Sequence, residues 1–129
     1  NLPALFIHGT DDEYMPFAGG QIAASKTRRD LGQVLGIDDT IAMYKRVNAC
    51  AEMKETKTLD NIARDETKAV VTDYDCKNAP LKHIVIEGGG HTWPGARTGV
   101  VADWVLGKTS QELSATAEIQ NFFKSLPGR

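Results

Sequence analysis

The chain has 129 residues, of which 41% are hydrophobic and 25% charged, a balance typical of one folded globular domain rather than of a disordered or collagen-like chain. A net charge of -2 and an isoelectric point near 5.9 give no reason to expect nucleic acid as a partner. The apolar runs are far shorter than a membrane span, so we expect no membrane segment.

The first half of the chain predicts one strand and one helix. Residues 3–7 form an apolar run that is typical of a strand buried on both faces of a parallel sheet. Because a domain seldom begins so close to a buried strand, we expect that an upstream part of the protein is missing. A helix is predicted over residues 39–48, where Ile41, Tyr44 and Val47 share a face and Asp38 or Asp39 is a suitable N-cap.

The second half predicts two strands and a final helix. Residues 51–67 are charged and lack periodicity, which indicates an exposed excursion. Strands are predicted over residues 68–74 and 81–87. Ser114 is predicted to cap a helix whose apolar stripe consists of Ile119, Phe122, Phe123 and Leu126. Strands that alternate with helices predict an α/β fold with a mostly parallel sheet, which the strands present here leave incomplete.

Two cysteines, Cys50 and Cys76, lack the CxxC spacing of a zinc site. Their number alone leaves open whether they form a disulfide or remain two unpaired buried thiols. A disulfide would indicate an oxidising compartment.

Reactive side chains follow two of the predicted strands. In an open α/β sheet such groups gather beyond the carboxyl ends of the strands, where Asp11 and Asp12 follow the first strand and His91 follows the glycines after residue 87. An aspartate beside a histidine fixes the imidazole tautomer and leaves Nε2 as a general base. The alternative is a solvated acidic loop and an ordinary surface histidine.

The remaining histidines predict no metal site. His8, His83 and His91 show neither HxH nor HExxH spacing, so we expect no bound metal. His8 is interpreted as part of the turn after the first strand, and His83 as a strand residue that points outward.

Two segments resemble those of α/β-hydrolase esterases. Residues 6–16 resemble the HGTxDxxVP segment of that fold, and residues 88–95 match the GGGHTWPG block of the secreted polyhydroxybutyrate depolymerase-like and feruloyl esterase-like branch. Shorter similarities around both cysteines and in the C-terminal helix extend the match over nearly the whole chain. The resemblance implies that residues 1–129 are the C-terminal portion of a single α/β-hydrolase domain.

The same resemblance assigns roles to individual residues. Asp12 falls on the acidic residue of a Ser-Asp-His catalytic triad and His91 on its histidine. Cys50 and Cys76 fall where members of the branch carry a disulfide. The GxSxG nucleophile elbow and the oxyanion-hole loop have no counterpart, so both are expected upstream of Asn1.

These implications amount to a functional hypothesis. The parent protein is expected to be a secreted serine esterase that hydrolyses a small carboxylic ester or a polyester without a cofactor, and the chain alone is expected to be inactive. Trp93 and Tyr14 are expected to line the substrate site. The alternative is a non-catalytic module, or a subunit that binds a partner polypeptide. Nothing in the segment distinguishes a hydroxyalkanoate ester from a feruloyl or acetyl sugar ester.

Overall fold

The computed structural model describes residues 1–23, 25, 27, 28, 31–60, 64–97 and 100–126. This part of the chain contains both strands and helices, which confirms the expected mixture of α and β structure. The elements are β1 (Ala4–Gly9), β2 (Gly20–Gln21), β3 (Gln33–Val34), α1 (Ile37–Val47), β4 (Cys50–Leu59), β5 (Lys68–Cys76), β6 (Leu81–Glu87), α2 (Val100–Leu106) and α3 (Ala115–Lys124).

The main sheet is mixed, which corrects the prediction of a mostly parallel sheet. Its described strands lie in the order β1-β6-β5-β4, and only the β1–β6 pair is parallel. The β5–β6 and β4–β5 pairs are antiparallel. Residues 77–80 are too few for a crossover, so β6 has to return antiparallel to β5. β2 and β3 form a separate two-stranded antiparallel ribbon.

The core lies on both faces of this sheet. Alternate residues of a strand point to opposite faces, so Phe6 packs in one cluster with Leu81 of β6 and with Ile41 of α1. Leu5 packs in the other cluster with Ile84. This arrangement confirms the strand predicted over residues 3–7 and explains why its residues are apolar on both faces.

α1 confirms the predicted helix but not its predicted cap. The helix begins at Ile37, and the N-cap is Gly36, which makes no side-chain hydrogen bond. Asp38 and Asp39 lie inside the first turn instead, where a negative charge is favourable near the helix N-terminus. Tyr44 packs edge-on against Phe6 at 4.9 Å between ring centroids, so α1 covers one face of the sheet.

β4 replaces the excursion that was predicted over residues 51–67. It pairs with β5 over most of its length, while residues 61–63 lie outside the described residues. β4 is at the end of the strand order, where charged side chains are tolerated and protect the edge. Cys50 lies opposite Cys76 in this pair and the two form a disulfide, as the resemblance implied.

The C-terminal helix confirms its predicted cap. The Ser114 hydroxyl accepts a hydrogen bond from the Ala117 N–H at the start of α3. Phe122 is buried, whereas Phe123 of the same predicted stripe is 46% exposed. Among the described residues, no helix has the length and apolarity needed to cross a membrane.

His83 is buried, which corrects its interpretation as an outward-pointing residue. It is only 6% exposed because β6 has β1 and β5 on either side and because α1 packs over the face that His83 shares with Leu81. His8 lies within β1 rather than in the turn after it, 6.2 Å from His83 between ring centroids. Burial lowers the pKa of His83 to about 4, with the charge of His8 acting in the same direction.

Candidate active site

Asp12 and His91 are brought together by the parallel pairing of β1 and β6. Parallel strands end at the same edge of a sheet, so the two loops that follow them start side by side. Two backbone bonds continue the pairing into the loops, from the Thr10 N–H to the Ile86 carbonyl at 3.0 Å and from the Asp11 N–H to the Gly89 carbonyl at 2.9 Å. The backbone segments that carry Asp12 and His91 are therefore fixed relative to each other.

The two side chains form a direct hydrogen bond. His91 Nδ1 lies 2.8 Å from Asp12 Oδ2. An ionised carboxylate can only accept hydrogen bonds, so Nδ1 carries the shared proton and Nε2 of a neutral ring keeps its lone pair. The Asp12 side chain is 11% exposed and that of His91 48%, so the carboxylate is sheltered while the imidazole stays accessible.

Asp12 is held in place by its own loop. Its Oδ1 accepts hydrogen bonds from the backbone N–H groups of Tyr14 and Met15, both at 2.8 Å. These two bonds close a tight turn directly after Asp12 and leave Oδ2 to accept from His91. Asp11 instead accepts from the hydroxyl of the adjacent Thr10. The geometry distinguishes Asp12 from Asp11 as the partner of His91.

The glycines around His91 allow very close backbone packing. Gly88 has φ of +74°, a conformation that favours glycine, directly after β6. A Cβ on Gly90 would collide with the backbone of Leu106 and Gly107, so only glycine fits next to the end of α2. The His91 N–H donates to the Leu106 carbonyl at 2.7 Å, which fixes the backbone from which the imidazole projects.

A cavity of about 460 Å³ opens beside the pair and is lined by both Asp12 and His91. Its walls are mostly apolar and include Met15, Trp93 and Leu106. A small-molecule site typically combines an apolar wall with a few polar groups that converge, and this cavity has that character.

Of the two residues expected to line a substrate site, Trp93 lines the cavity and Tyr14 does not. Trp93 lines the cavity, and its Nε1 donates to the Thr116 hydroxyl at 3.1 Å, which fixes the indole against α3. The Tyr14 ring lies against the His91 ring, 5.4 Å between centroids, outside the residues that line the cavity. The Tyr14 hydroxyl donates to the Val105 carbonyl at 3.3 Å.

The described serine and cysteine side chains are all engaged away from His91. Ser110 hydrogen-bonds with Thr67, Ser114 caps α3, and the Ser125 hydroxyl donates to the Phe122 carbonyl. Ser25 takes part in its own turn, where its hydroxyl accepts from the Arg28 N–H. Both cysteines are consumed in the disulfide. No serine or cysteine side chain of the described residues therefore contacts His91.

Several residues that support the site cannot be recognised from their residue type. Residues 88–95 form the loop that carries His91, the His91 loop. Leu106 and Lys108 support this loop through backbone carbonyls, which any residue could supply. His8 lines the same cavity, and burial lowers its pKa while the charge of Asp12 opposes that effect. The position of His8 at the end of an apolar strand was the available signal for its proximity to Asp12.

Comparison with protein-family models, with curated proteins and with solved structures finds no match to this chain. In the part of the chain that the structure describes, no three histidine, cysteine, aspartate or glutamate side chains form a group that could hold a metal ion.

Proposed function

We propose that this chain supplies the acid–base part of a serine esterase, in which Asp12 orients His91 and His91 is the general base. The observation that carries the proposal is the 2.8 Å hydrogen bond between Asp12 and His91 Nδ1, with a half-exposed ring beside an apolar cavity. This is the arrangement that base-activated nucleophilic catalysis requires of its two supporting residues.

The reaction proceeds in two halves. Nε2 of His91 takes the proton of a serine hydroxyl as its oxygen attacks the ester carbonyl, and Asp12 stabilises the imidazolium that forms. The tetrahedral intermediate then expels the alcohol, which receives that proton from His91, and an acyl-serine remains. In the second half His91 takes a proton from water as the water oxygen attacks the acyl-serine, and it returns that proton to the serine oxygen as the acid is released. No cofactor takes part.

The serine is proposed to lie in polypeptide upstream of Asn1, as part of the same α/β-hydrolase domain. Among the described residues β1 pairs only with β6, while its side chains are apolar on both faces. Such a strand is typical of the interior of a sheet, where another strand would lie along its second edge. A strand added there would end at the same sheet edge as Asp12 if it ran parallel to β1.

The cavity supports a proposal for the substrate class, and the disulfide supports one for the compartment. Apolar walls next to a general base suit a short acyl ester or the end of a polyester, with Trp93 as a contact surface. The Cys50–Cys76 bridge is compatible with an oxidising compartment, and we propose that the parent protein is secreted.

A second candidate is a non-catalytic module, or a subunit that binds a partner polypeptide. It is favoured by one observation, namely that each serine hydroxyl of the chain is engaged away from His91. The upstream coding sequence distinguishes the candidates, because the esterase requires a GxSxG element there.

The test compares two purified proteins, residues 1–129 alone and the longer polypeptide that includes the upstream region. The longer protein should hydrolyse p-nitrophenyl acetate and react with a fluorophosphonate probe at one serine, whereas residues 1–129 should do neither. A longer polypeptide without a reactive serine would refute the esterase and leave the binding module. Robust turnover by residues 1–129 would refute an external nucleophile.

A further inference from the structure

We propose that Asp65 and Thr67 are positioning residues for His91, which act through the segment formed by residues 107–113. The inference rests on the proposed role of His91 as a base. Asp65 and Thr67 lie in the connection between β4 and β5, far from His91 in the sequence. Side-chain hydrogen bonds connect them to residues 107–113, which join α2 to α3 and in turn hydrogen-bond to the loop that carries His91.

The His91 loop is held by this segment along its length. The Gly90 N–H and the Thr92 hydroxyl, on either side of His91, both donate to the Lys108 carbonyl at 3.0 Å. Farther along the same loop, the Gly95 N–H donates to the Ser110 carbonyl at 2.8 Å. A shift of the segment would therefore move the backbone on both sides of the imidazole.

The segment cannot hold its own shape by regular hydrogen bonding. It is neither helix nor strand, yet Thr109, Ser110 and Glu112 are buried. Buried polar groups in irregular backbone need partners from elsewhere in the molecule, and their absence would be costly.

Asp65 and Thr67 supply partners for two residues of the segment, Ser110 and Gln111. The Thr67 and Ser110 hydroxyl groups hydrogen-bond to each other at 2.7 Å, and these residues are 3% and 0% exposed. Asp65 Oδ2 accepts from the Gln111 N–H, while its Oδ1 accepts from the N–H and hydroxyl of Thr67. Burial raises the pKa of Asp65, but the hydrogen bonds from Gln111 and Thr67 outweigh burial and lower it.

The neighbouring Glu66 provides a comparison within the same connection. It forms an ion pair with Lys108, but the two side chains are 78% and 49% exposed. Exposed ion pairs contribute little because water and salt screen them. The geometry therefore assigns the positioning role to the buried hydroxyl pair and to Asp65 rather than to Glu66.

The experiment measures the His91 tautomer in residues 1–129 by long-range proton–nitrogen correlation NMR at a pH where the ring is neutral. The wild-type chain should hold the proton on Nδ1, and Asp12→Ala defines the spectrum of the unpaired ring. Asp65→Asn and Thr67→Val should shift the tautomer population more than half-way towards that spectrum. Thr67→Ser, which keeps the hydroxyl, should restore the wild-type population.

Two matched variants separate positioning from simple loss of stability. Glu66→Gln removes the exposed neighbour, and Thr72→Val removes the hydroxyl of a buried threonine that pairs with Thr56 instead. Both should keep the wild-type tautomer. If Thr67→Val does not fold, Ser110→Ala removes the same hydroxyl pair from the other side.

The outcomes of the proposed function and of this inference are distinguishable. A wild-type tautomer in folded Asp65→Asn and Thr67→Val, or in Ser110→Ala where it is the substitute, would overturn the positioning role even if their melting temperatures fall. A wild-type chain without the proton on Nδ1 would instead remove the Asp12–His91 pair on which the esterase depends.

Discussion

The carboxylate of Asp12 and the imidazole of His91 are 79 positions apart in the sequence and 2.8 Å apart in the structure. Neither residue lies in a helix or strand, and their meeting depends on the parallel pairing of the two strands that precede them. Because two backbone N–H groups hold the other oxygen of Asp12, the pair is oriented before any substrate binds.

Replacement of Asp12 should affect the chemical step of the proposed longer polypeptide that carries the serine. Asp12→Asn places an amide beside Nδ1 and favours the wrong imidazole tautomer, so kcat should fall by about 10⁴ with little change in KM. Asp11→Asn is the matched control, since the Asp11 carboxylate contacts Thr10 rather than His91. Steady-state hydrolysis of p-nitrophenyl acetate measures both, and equal effects would argue against the assigned pair.

Trp93 should contribute to substrate binding rather than to chemistry. Trp93→Ala removes an apolar wall of the cavity, so kcat/KM for p-nitrophenyl butyrate should fall on the order of tenfold, and less for the acetate. Trp104→Ala is the control, because Trp104 is 76% exposed and does not line that cavity. A loss of equal size for the two esters would show that Trp93 does not contact the acyl chain.

The buried His83 should make the fold sensitive to acid. Its pKa is lowered from 6.5 to about 4, so as the pH falls through this range the unfolded chain takes up a proton that the folded chain does not. The free energy of unfolding is therefore highest above pH 6.5, and it falls by on the order of 3 kcal/mol as the pH drops to about 4. His8 on β1 and Asp38 on α1 are the charged groups that modulate the effect.

Urea unfolding of residues 1–129 at several pH values checks this prediction. His83→Leu should lose less stability than the wild type between pH 6.5 and 4. Thr72→Val alters the residue opposite His83 without removing a titratable group, so it should keep the wild-type pH dependence. If the free energy of unfolding depended on pH equally in the wild type and in His83→Leu, the attribution of the acid sensitivity to His83 would be wrong.

The disulfide should stabilise the fold without shaping the site. Cys50 and Cys76 are 26 positions apart, so their loss should lower the free energy of unfolding by about 3 kcal/mol. Reductant should therefore shift the urea midpoint of the wild type but not that of the Cys50→Ser/Cys76→Ser double variant. The His91 NMR signals should be the same in both oxidised and reduced folded chains, and a change would show that the bridge positions the site.

Local patterns predicted the elements that bury apolar side chains, and missed those defined by distant partners. β1 and β6 were predictable because their apolar runs cover both faces of a sheet. β4 was not, because its exposed, charged residues carry no periodicity and its structure comes from pairing with β5. The antiparallel return of β6 could have been inferred from the short connection at residues 77–80.

The site was predictable to a similar extent. The position of Asp12 and His91 after two buried strands indicated a pair, and the family resemblance selected Asp12 over Asp11. The hydroxyl contact between Thr67 and Ser110 could not have been found, because it joins two irregular segments with no shared pattern. Contacts made by backbone carbonyls, such as that of Lys108, cannot be predicted from residue type because every residue has this group.

The most direct measurement is the steady-state hydrolysis of p-nitrophenyl acetate by the proposed longer, serine-bearing polypeptide and by its His91→Ala variant. The variant should lose kcat by about 10³ or more, because the role proposed for His91 is to move the proton in both halves of the reaction. A His91→Ala protein that is folded and hydrolyses the ester at nearly the wild-type rate would contradict that role.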